Sequence, residues 1–255
     1  MAFAGFRPEA ARFLVELAGN NNRAWFQDHG QECRDHLLEP ANDLVAALGE
    51  RLHSLSEQVH AEPRINGSIH RINRDIRFSK DKSPYKTHLD LWFWQGDRAS
   101  RECPGYFFRL TARSLMLGAG MHTFDKLLLE RYRQAVVDER RGAGLERAIQ
   151  AMRAAGPYEL GGRYFKRVPA GFDPDHSRAE LLLHAALYAG LELSLPPEVY
   201  SSDLPALCLE HYRNLAPLQE WIAGIVLATQ NTVSQRVTDV GSARHSLEAS
   251  RHRAR

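Results

Sequence analysis

The first quarter of the chain carries apolar residues at the spacing of an α-helix. Large apolar side chains recur every three or four residues over residues 6–17, over 25–33 and, beyond Pro40, over 44–59. This spacing places them on one side of a helix, where they can be buried together. We therefore predict that residues 1–60 are mostly helical.

After a turn at residues 66–67 the period of the pattern changes to two. The even positions over 70–78 hold His70, Ile72, Arg74, Ile76 and Phe78, a mostly apolar face that Arg74 interrupts, and leucine and phenylalanine alternate with other residues over 88–94. Such alternation puts successive side chains on opposite faces of a strand, and the turn-rich residues 79–84 lie between the two runs. The pattern favours an antiparallel hairpin, although the first run also fits helical spacing.

The remainder of the chain predicts further strands and then helices. Short runs predict strands over residues 106–110, 114–117 and 164–168, and a glycine-rich connection over 118–121. Helical spacing recurs over residues 124–139, 145–154, 179–188 and 204–228.

Together these elements predict an α+β fold, in which a small, mainly antiparallel sheet is covered by N- and C-terminal helices. We expect a single α+β domain over residues 1–228, helical over 1–60, sheet-forming over 64–118, and with helices plus one strand over 124–228. Beyond it, hydrophobic content falls and the last twelve residues carry four Arg against one Glu. Residues 229–255 are therefore predicted to be a basic, disordered tail.

The composition is typical of a globular protein of the cytoplasm. Hydrophobic residues make up 44% of the 255-residue chain. No apolar run approaches the roughly 18 residues of a membrane span, and the N-terminus lacks a signal-peptide pattern. Cys33, Cys103 and Cys208 lie far apart without a CxxC pair, so we expect reduced structural thiols. We expect no metal and no cofactor.

Positive charge is concentrated in one stretch. Residues 64–88 contain seven Arg or Lys against Asp75 and Asp81, a local balance of +5, whereas the whole chain carries +2. A global charge this small argues against non-specific nucleic-acid binding, which usually needs a basic domain or stripe. The local concentration points to a site for a negatively charged ligand.

Arg74 is central to the interpretation of this stretch, because it interrupts an apolar strand face. An unpaired buried guanidinium would cost several kcal/mol, so Arg74 must meet a carboxylate of the protein or an anion from outside. In one interpretation the charges form a salt-bridge network that fixes the sheet. In the other, cations converge on a phosphate or carboxylate, which suits the planar fork of arginine. The candidate anion-binding residues are Arg71, Arg74, Arg77, Lys80, Lys82, Lys86 and, at a second basic point, Lys166.

If the protein is an enzyme, which the sequence leaves open, its proton carrier should lie near these cations. Candidates are Tyr85, whose phenol pKa neighbouring cations would lower, and His176. Asp75 is a third candidate, better suited to orienting arginines than to acting as a base. His122 could line the same cleft. The acidic residues just before His176 lie too close in sequence to hold one metal ion without distant partners.

Two other function classes remain open. A non-catalytic module could dock nucleic acid or an acidic protein on the basic surface, with Trp92 and Trp94 as stacking platforms if they are exposed. Alternatively, the basic cluster is purely structural. The GxxxxGK[ST], GxGxxG, GxSxG and HExxH motifs of common enzymes are missing. We expect an anionic small molecule as the partner, no membrane association, and an oligomeric state that the sequence does not determine.

The basic stretch as a whole resembles a known motif. Residues 71–78 read RINRDIRF and residues 81–86 read DKSPYK. They resemble the RxxRDxRF and DKxPYK hallmarks of a bacterial family, domain of unknown function 2461. NNRAWF at 21–26, the glycine-rich residues 118–121 and KRVPAGFDPDH at 166–176 resemble further segments of that family. The resemblance covers about residues 6–221 and implies that the basic stretch and residues 166–176 belong to one design, but it implies no particular reaction.

Overall fold

The computed structural model of the chain describes residues 2–97 and 99–227, which are arranged around a six-stranded sheet. The strands are Val59–His60 (β1), His88–Gln95 (β2), Gly105–Thr111 (β3), Ser114–Met121 (β4), Glu159–Arg163 (β5) and His184–Ser194 (β6). They pair antiparallel in the order β1-β2-β3-β4-β6-β5. With the helices that accompany it, this sheet confirms the predicted α+β class.

The helices lie before, between and after the strands. They are Pro8–Gly19 (α1), Arg23–Asp28 (α2), Gly30–Cys33 (α3), Glu39–Leu52 (α4), Lys126–Val137 (α5), Glu139–Ala155 (α6) and residues 204–227 (α7), with a π-helical segment at Arg34–Leu38. Side chains cap several helix starts. Asn22 accepts a hydrogen bond from the backbone N of Trp25 (3.0 Å), and Asp125 accepts one from the backbone N of Leu128 (2.8 Å).

The helices from both ends of the chain bury the apolar face of the sheet. Phe6, just before α1, stacks on Phe108 of β3 with ring centroids 6.4 Å apart. Tyr212 of α7 tilts against Tyr106, which lies on the same face of β3. Side chains on the opposite face, such as Trp92, remain partly exposed. We call that second side the open face.

Three predicted strands are confirmed, and each is longer than its pattern suggested. They are β2, β3 and β4. The connection predicted over residues 118–121 is wrong, because these residues continue β4 and pair with β6. The glycines that suggested a turn lie instead where the backbones of two strands approach each other closely.

Two predictions in the C-terminal half are wrong. Residues 164–168 do not form a strand, since β5 precedes them. Residues 179–188 are not an α-helix: Ala179–Leu183 forms a short 3₁₀-helix and β6 begins at His184. β6 has strands on both sides and helices over its apolar face, so most of its residues are apolar and the period of two is concealed.

The strand predicted over residues 69–78 is also wrong, although the antiparallel course of the chain there is right. Isolated bridges form there instead of a ladder, and the two antiparallel ones join Ile69 to Leu91 and Asn73 to Tyr85. Beyond them, a side-chain oxygen takes an amide of the predicted strand: Asp75 Oδ1 accepts from the backbone N of Arg77 (3.2 Å). Aspartates that bond nearby amides offer the backbone an alternative to sheet pairing.

No helix of the described part of the chain is long and apolar enough to cross a membrane. The helix predicted over 204–228 is confirmed as far as residue 227. Residue 228 and the predicted tail, residues 229–255, lie outside the described residues.

Candidate functional site

A buried carboxylate, Asp90, is the centre of a charged group on the open face. Its neighbours Leu89 and Leu91 face the core, so alternation along β2 turns Asp90 to the other side, and the register with β3 sets Arg109 opposite it. Arg109 donates from Nε to Oδ1 (2.6 Å) and from Nη2 to Oδ2 (3.2 Å). Lys86 Nζ donates to Oδ2 over 3.2 Å.

Two histidines complete this group. Nε2 of His88 lies 3.3 Å from Oδ2 of Asp90. The backbone N of His70 donates to the backbone O of Asp90 (3.0 Å), which brings the His70 ring beside the same charges. We call His70, Lys86, His88, Asp90 and Arg109 the Asp90 cluster.

The electrostatics of the Asp90 cluster keep its carboxylate ionised. Burial alone would raise the pKa of Asp90, whose side chain is 5% exposed, but hydrogen bonds from His88 and Arg109 outweigh burial and hold that pKa below its ordinary value. The pKa of His70 is lowered, first by burial and then by the charge of Lys86. The His70 imidazole is therefore neutral at pH 7.

Two cations of the cluster share one carboxylate. Lys86 and Arg109 against Asp90 leave one net positive charge before either imidazole is protonated. The side chains of Lys86 and Arg109 are 23% and 33% exposed, whereas Asp90 is buried beneath them. The positive charge is thus the part of the cluster that reaches solvent.

Most of the other predicted cations lie in an irregular loop, residues 74–84, which we call the basic loop. Arg74 pairs with Asp81, and Arg77 pairs with Asp75 through two hydrogen bonds, from Nε to Oδ1 (2.9 Å) and from Nη2 to Oδ2 (2.7 Å). Lys82 Nζ donates to a backbone carbonyl at residue 76 (2.9 Å). Contacts within the loop therefore engage several of the cations that the sequence suggested for an external anion.

The remaining predicted cations are exposed. Lys80 lies in the basic loop, and Arg71 precedes it. Lys166 is exposed and follows β5, and β3, β4 and β6 lie between β5 and β2. Three intervening strands put β5 roughly 19 Å across the sheet from β2, at about 4.8 Å per spacing. The structure does not bring Lys166 together with Lys86.

The candidate proton carriers have structural contacts. Tyr85 is buried and stacks on Phe26 with ring centroids 4.0 Å apart, while Asn21 donates to its backbone O (2.9 Å) and accepts from its backbone N (3.0 Å). Asp75 accepts hydrogen bonds from its partner in the basic loop, which lower its pKa to about 2. His176 accepts at Nδ1 from the backbone N of Arg178 (3.0 Å).

Residues outside the predicted set form most of the Asp90 cluster. Lys86 is the only member of the cluster that the sequence proposed as a site residue. His88 and Asp90 carried a usable signal, because alternation placed both on the polar side of β2. Arg109 had none, since its partnership with Asp90 depends on the register between two strands. Among the described residues, no group of three His, Cys, Asp or Glu side chains could hold a metal ion.

Beside the Asp90 cluster, the open face is hollowed into a groove. The cavity measures about 520 Å³ and runs over β4 and β6. We call it the open-face groove; its lining includes Trp92, Phe107, Met116, Gly118, His122, Tyr188 and Gly190. His122, which the sequence placed beside the basic stretch, lies here instead, with its ring centroid 4.2 Å from that of Tyr188.

Comparison with known families assigns the chain. A family model described as conserved hypothetical protein (DUF2461) matches residues 9–221. The chain belongs to the DUF2461 family. None of the curated proteins compared with it matches. In this DUF2461 chain the Asp90 cluster and the open-face groove both lie inside the range that the family model matches.

Proposed function

We propose that this chain binds a small anionic ligand, carrying a phosphate or a carboxylate, at the Asp90 cluster. The observation that carries the proposal is that Lys86 and Arg109 share one buried carboxylate and still reach solvent. A single cation would be enough to neutralise Asp90. The second cation therefore leaves one positive charge that Asp90 does not neutralise.

The size of the interaction favours an anion with a compact charge. Two unit charges 4 Å apart attract by about 4 kcal/mol at an effective dielectric constant of 20, before the cost of dehydration. Arg109 is held by two hydrogen bonds to Asp90, so little side-chain freedom is lost when it binds a ligand. A preorganised guanidinium of this kind suits phosphate and carboxylate oxygens.

The ligand is still a small anion, as the sequence suggested, but most of the residues that would bind it are different. Lys86 remains, while Arg109 and His70 take the place of the cations of the basic loop. The basic loop directly precedes Tyr85 and Lys86 in the chain and carries four cations against Asp75 and Asp81, so it adds to the positive potential around the site. The proton acceptor for any reaction would be the neutral imidazole of His70.

Titration with inorganic phosphate, followed by ¹H–¹⁵N NMR, tests the proposal. We expect saturable shifts at residues around Asp90, and an affinity about tenfold weaker in Arg109→Gln, equivalent to about 1.4 kcal/mol. The matched control is Arg113→Gln, which removes an exposed arginine from the β3–β4 turn and should stay within about twofold. Saturable shifts of equal affinity in wild type and Arg109→Gln, or no saturable shift in the wild type, would contradict the proposal.

A second candidate function rests on the basic loop. Phe78 is 95% exposed at its tip, and the guanidinium of Arg77 lies 5.8 Å from the ring centroid. An exposed aromatic ring among cations suits stacking on a base of a single-stranded nucleic acid. The tryptophans suggested for this task fit it less well, since Trp94 is buried against His60 and Trp92 is partly buried.

Salt dependence separates the two candidates. Binding of a single-stranded oligonucleotide through the basic loop should weaken steeply as salt rises, because each neutralised phosphate releases counterions. Phe78→Ala should weaken it about tenfold, while Tyr164→Ala, which removes another exposed aromatic ring, should leave it unchanged. Oligonucleotide binding that is indifferent to both Phe78 and salt would exclude this second function.

A further inference from the structure

The floor of the open-face groove is peptide backbone. One row of register partners crosses the open face as Trp92, Phe107, Gly118 and Gly190, so two aromatic side chains are followed by two positions without side chains. The row crosses four neighbouring strands. Glycine inside a strand weakens it and often marks a place where a ligand or another backbone approaches closely.

The glycines are also required by the sheet itself. A Cβ on Gly190 would lie 2.5 Å from the carbonyl O of Leu117, and one on Gly118 would lie 2.9 Å from the carbonyl O of Ala189. No larger residue fits either position unless the strands move. The floor therefore stays flat and free of side chains.

Aromatic rings border this floor. Tyr188 and His122 lie on one side with ring centroids 4.2 Å apart, and Phe107 meets His122 edge-on at 6.0 Å. Trp92 continues the border on β2, where its Nε1 donates to a backbone carbonyl at residue 100 (3.0 Å) that holds the indole in place. A volume of about 520 Å³ falls within the range of roughly 300–1,000 Å³ that small-molecule sites occupy.

Charged side chains of both signs border the groove. The Arg109 guanidinium lies 5.2 Å from the ring centroid of Phe107, which joins the Asp90 cluster to the groove. Burial, and next the charge of Arg109, lower the pKa of His122, so its imidazole is neutral at pH 7. Glu159 and Glu192 line the groove as well and offer carboxylate acceptors for N–H groups.

We propose that the open-face groove binds a nucleobase, and that the ligand of this chain is a mononucleotide whose phosphate meets the Asp90 cluster. A planar ring fits a flat backbone floor with aromatic borders, and exocyclic amino groups match Glu159 and Glu192. The assignment of the phosphate rests on the proposed function; the assignment of the ring rests on the groove alone.

Three probes test the two halves separately in the full-length protein: inorganic phosphate, adenosine and adenosine monophosphate, titrated by calorimetry and NMR. We expect adenosine monophosphate to bind at least about tenfold more tightly than either part. Tyr188→Ala should weaken adenosine and adenosine monophosphate about tenfold, in line with the loss of one stacking contact, and leave phosphate unchanged. Arg109→Gln should show the converse, weakening phosphate and adenosine monophosphate but not adenosine.

Two further variants serve as a substitute and a control. If Tyr188→Ala folds poorly, His122→Ala can replace it, because it removes another ring from the same border and should have the same effect on binding. Tyr164→Ala, at a tyrosine that is 77% exposed and outside the groove, should bind all three probes as the wild type does.

The outcomes separate the two ideas. If phosphate binds through Arg109 and the nucleoside adds nothing, the nucleobase site is overturned and the proposed function stands. If adenosine binds in a Tyr188-dependent way and phosphate does not bind, the groove is a ring site, but the mononucleotide and the proposed function are both overturned. If adenosine binds as tightly to Tyr188→Ala and to His122→Ala as to the wild type, the open-face groove is not the nucleobase site.

Discussion

Asp90 holds together the charged side chains of the open face. Its carboxylate is buried, and three side chains from two strands and the segment before them contact it: Lys86, His88 and Arg109. Removing the negative charge would leave two cations beside each other without their shared partner. The cost of such a change is mainly the penalty for the cations that remain.

Asp90→Asn should therefore lower the free energy of unfolding by about 2–4 kcal/mol at pH 7, less than the loss of a fully buried pair, because Lys86 and Arg109 keep some hydration. Urea unfolding followed by circular dichroism measures the change. The control is Asp75→Asn, which breaks the exposed pair with Arg77 and should lower the free energy of unfolding much less, because solvent screens an exposed pair. Equal losses in the two variants would show that Asp90 is no more important than a surface aspartate.

The members of the Asp90 cluster differ in how far they could be predicted. Alternation in residues 88–94 already placed Asp90 beside His88 and opposite the core. Its pairing with Arg109 could not be predicted, because the register depends on the connection at residues 96–104, and a slip of one residue would reverse the faces. The charge count drew attention instead to Arg74 and Arg77, which lie in the basic loop with nearby carboxylates as partners.

At the scale of elements, β6 shows why a strand of the C-terminal half was harder to predict than the first strands of the sheet. β2 alternates visibly because one of its faces is partly polar. β6 combines alanine, leucine and glycine, and its start at His184 follows a leucine run that also fits a helix. Sheet pairing on both sides outweighs the helical preference of these residues.

Close contact between β4 and β6 makes a specific prediction for Gly190→Ala. The added methyl group would lie 2.5 Å from the carbonyl O of Leu117, so the strands must move apart, and we expect a loss of about 1–3 kcal/mol in unfolding free energy. Gly224→Ala on α7 is the matched control. That position has no atom within 4 Å of the added Cβ, so helix propensity should stabilise the protein by about 0.5–1 kcal/mol. Gly190→Ala behaving like this control would mean that the strands are not in close contact.

In the molecule as a whole, the N-terminal helices fix the basic stretch to the sheet. Asn21 bonds both backbone atoms of Tyr85, and Phe26 stacks on its ring, so residues that are about sixty positions apart in sequence form one contact. The fold class could be predicted from the order of helical and alternating patterns. The contact of Asn21 and Phe26 with Tyr85 could not, because a periodic pattern shows which face of a segment is buried but not which distant segment it meets.

Stability at mildly acidic pH offers a test of the whole fold. His184, at the start of β6, is buried, and burial lowers its pKa although the backbone carbonyls of Glu180 and Leu181 act in the opposite direction. The unfolded chain takes up a proton near pH 6.5, whereas the folded chain does so only at lower pH. The unfolded state then binds more protons, so stability falls as the pH drops through about 6.5 towards the folded-state pKa, and His184 contributes no change well above pH 7.

The slope that His184 contributes is at most about 1.4 kcal/mol per pH unit. His184→Gln should flatten the dependence of the unfolding free energy on pH between 6.5 and 5, measured by urea unfolding at four pH values. Aspartates with lowered pKa, such as Asp90, stay ionised in this window and lose their contribution only at lower pH, so they do not mask the effect. His53→Gln, at an exposed position, should keep the wild-type slope. An unchanged slope in His184→Gln would show that this imidazole accepts its proton as readily in the folded state as in the unfolded chain.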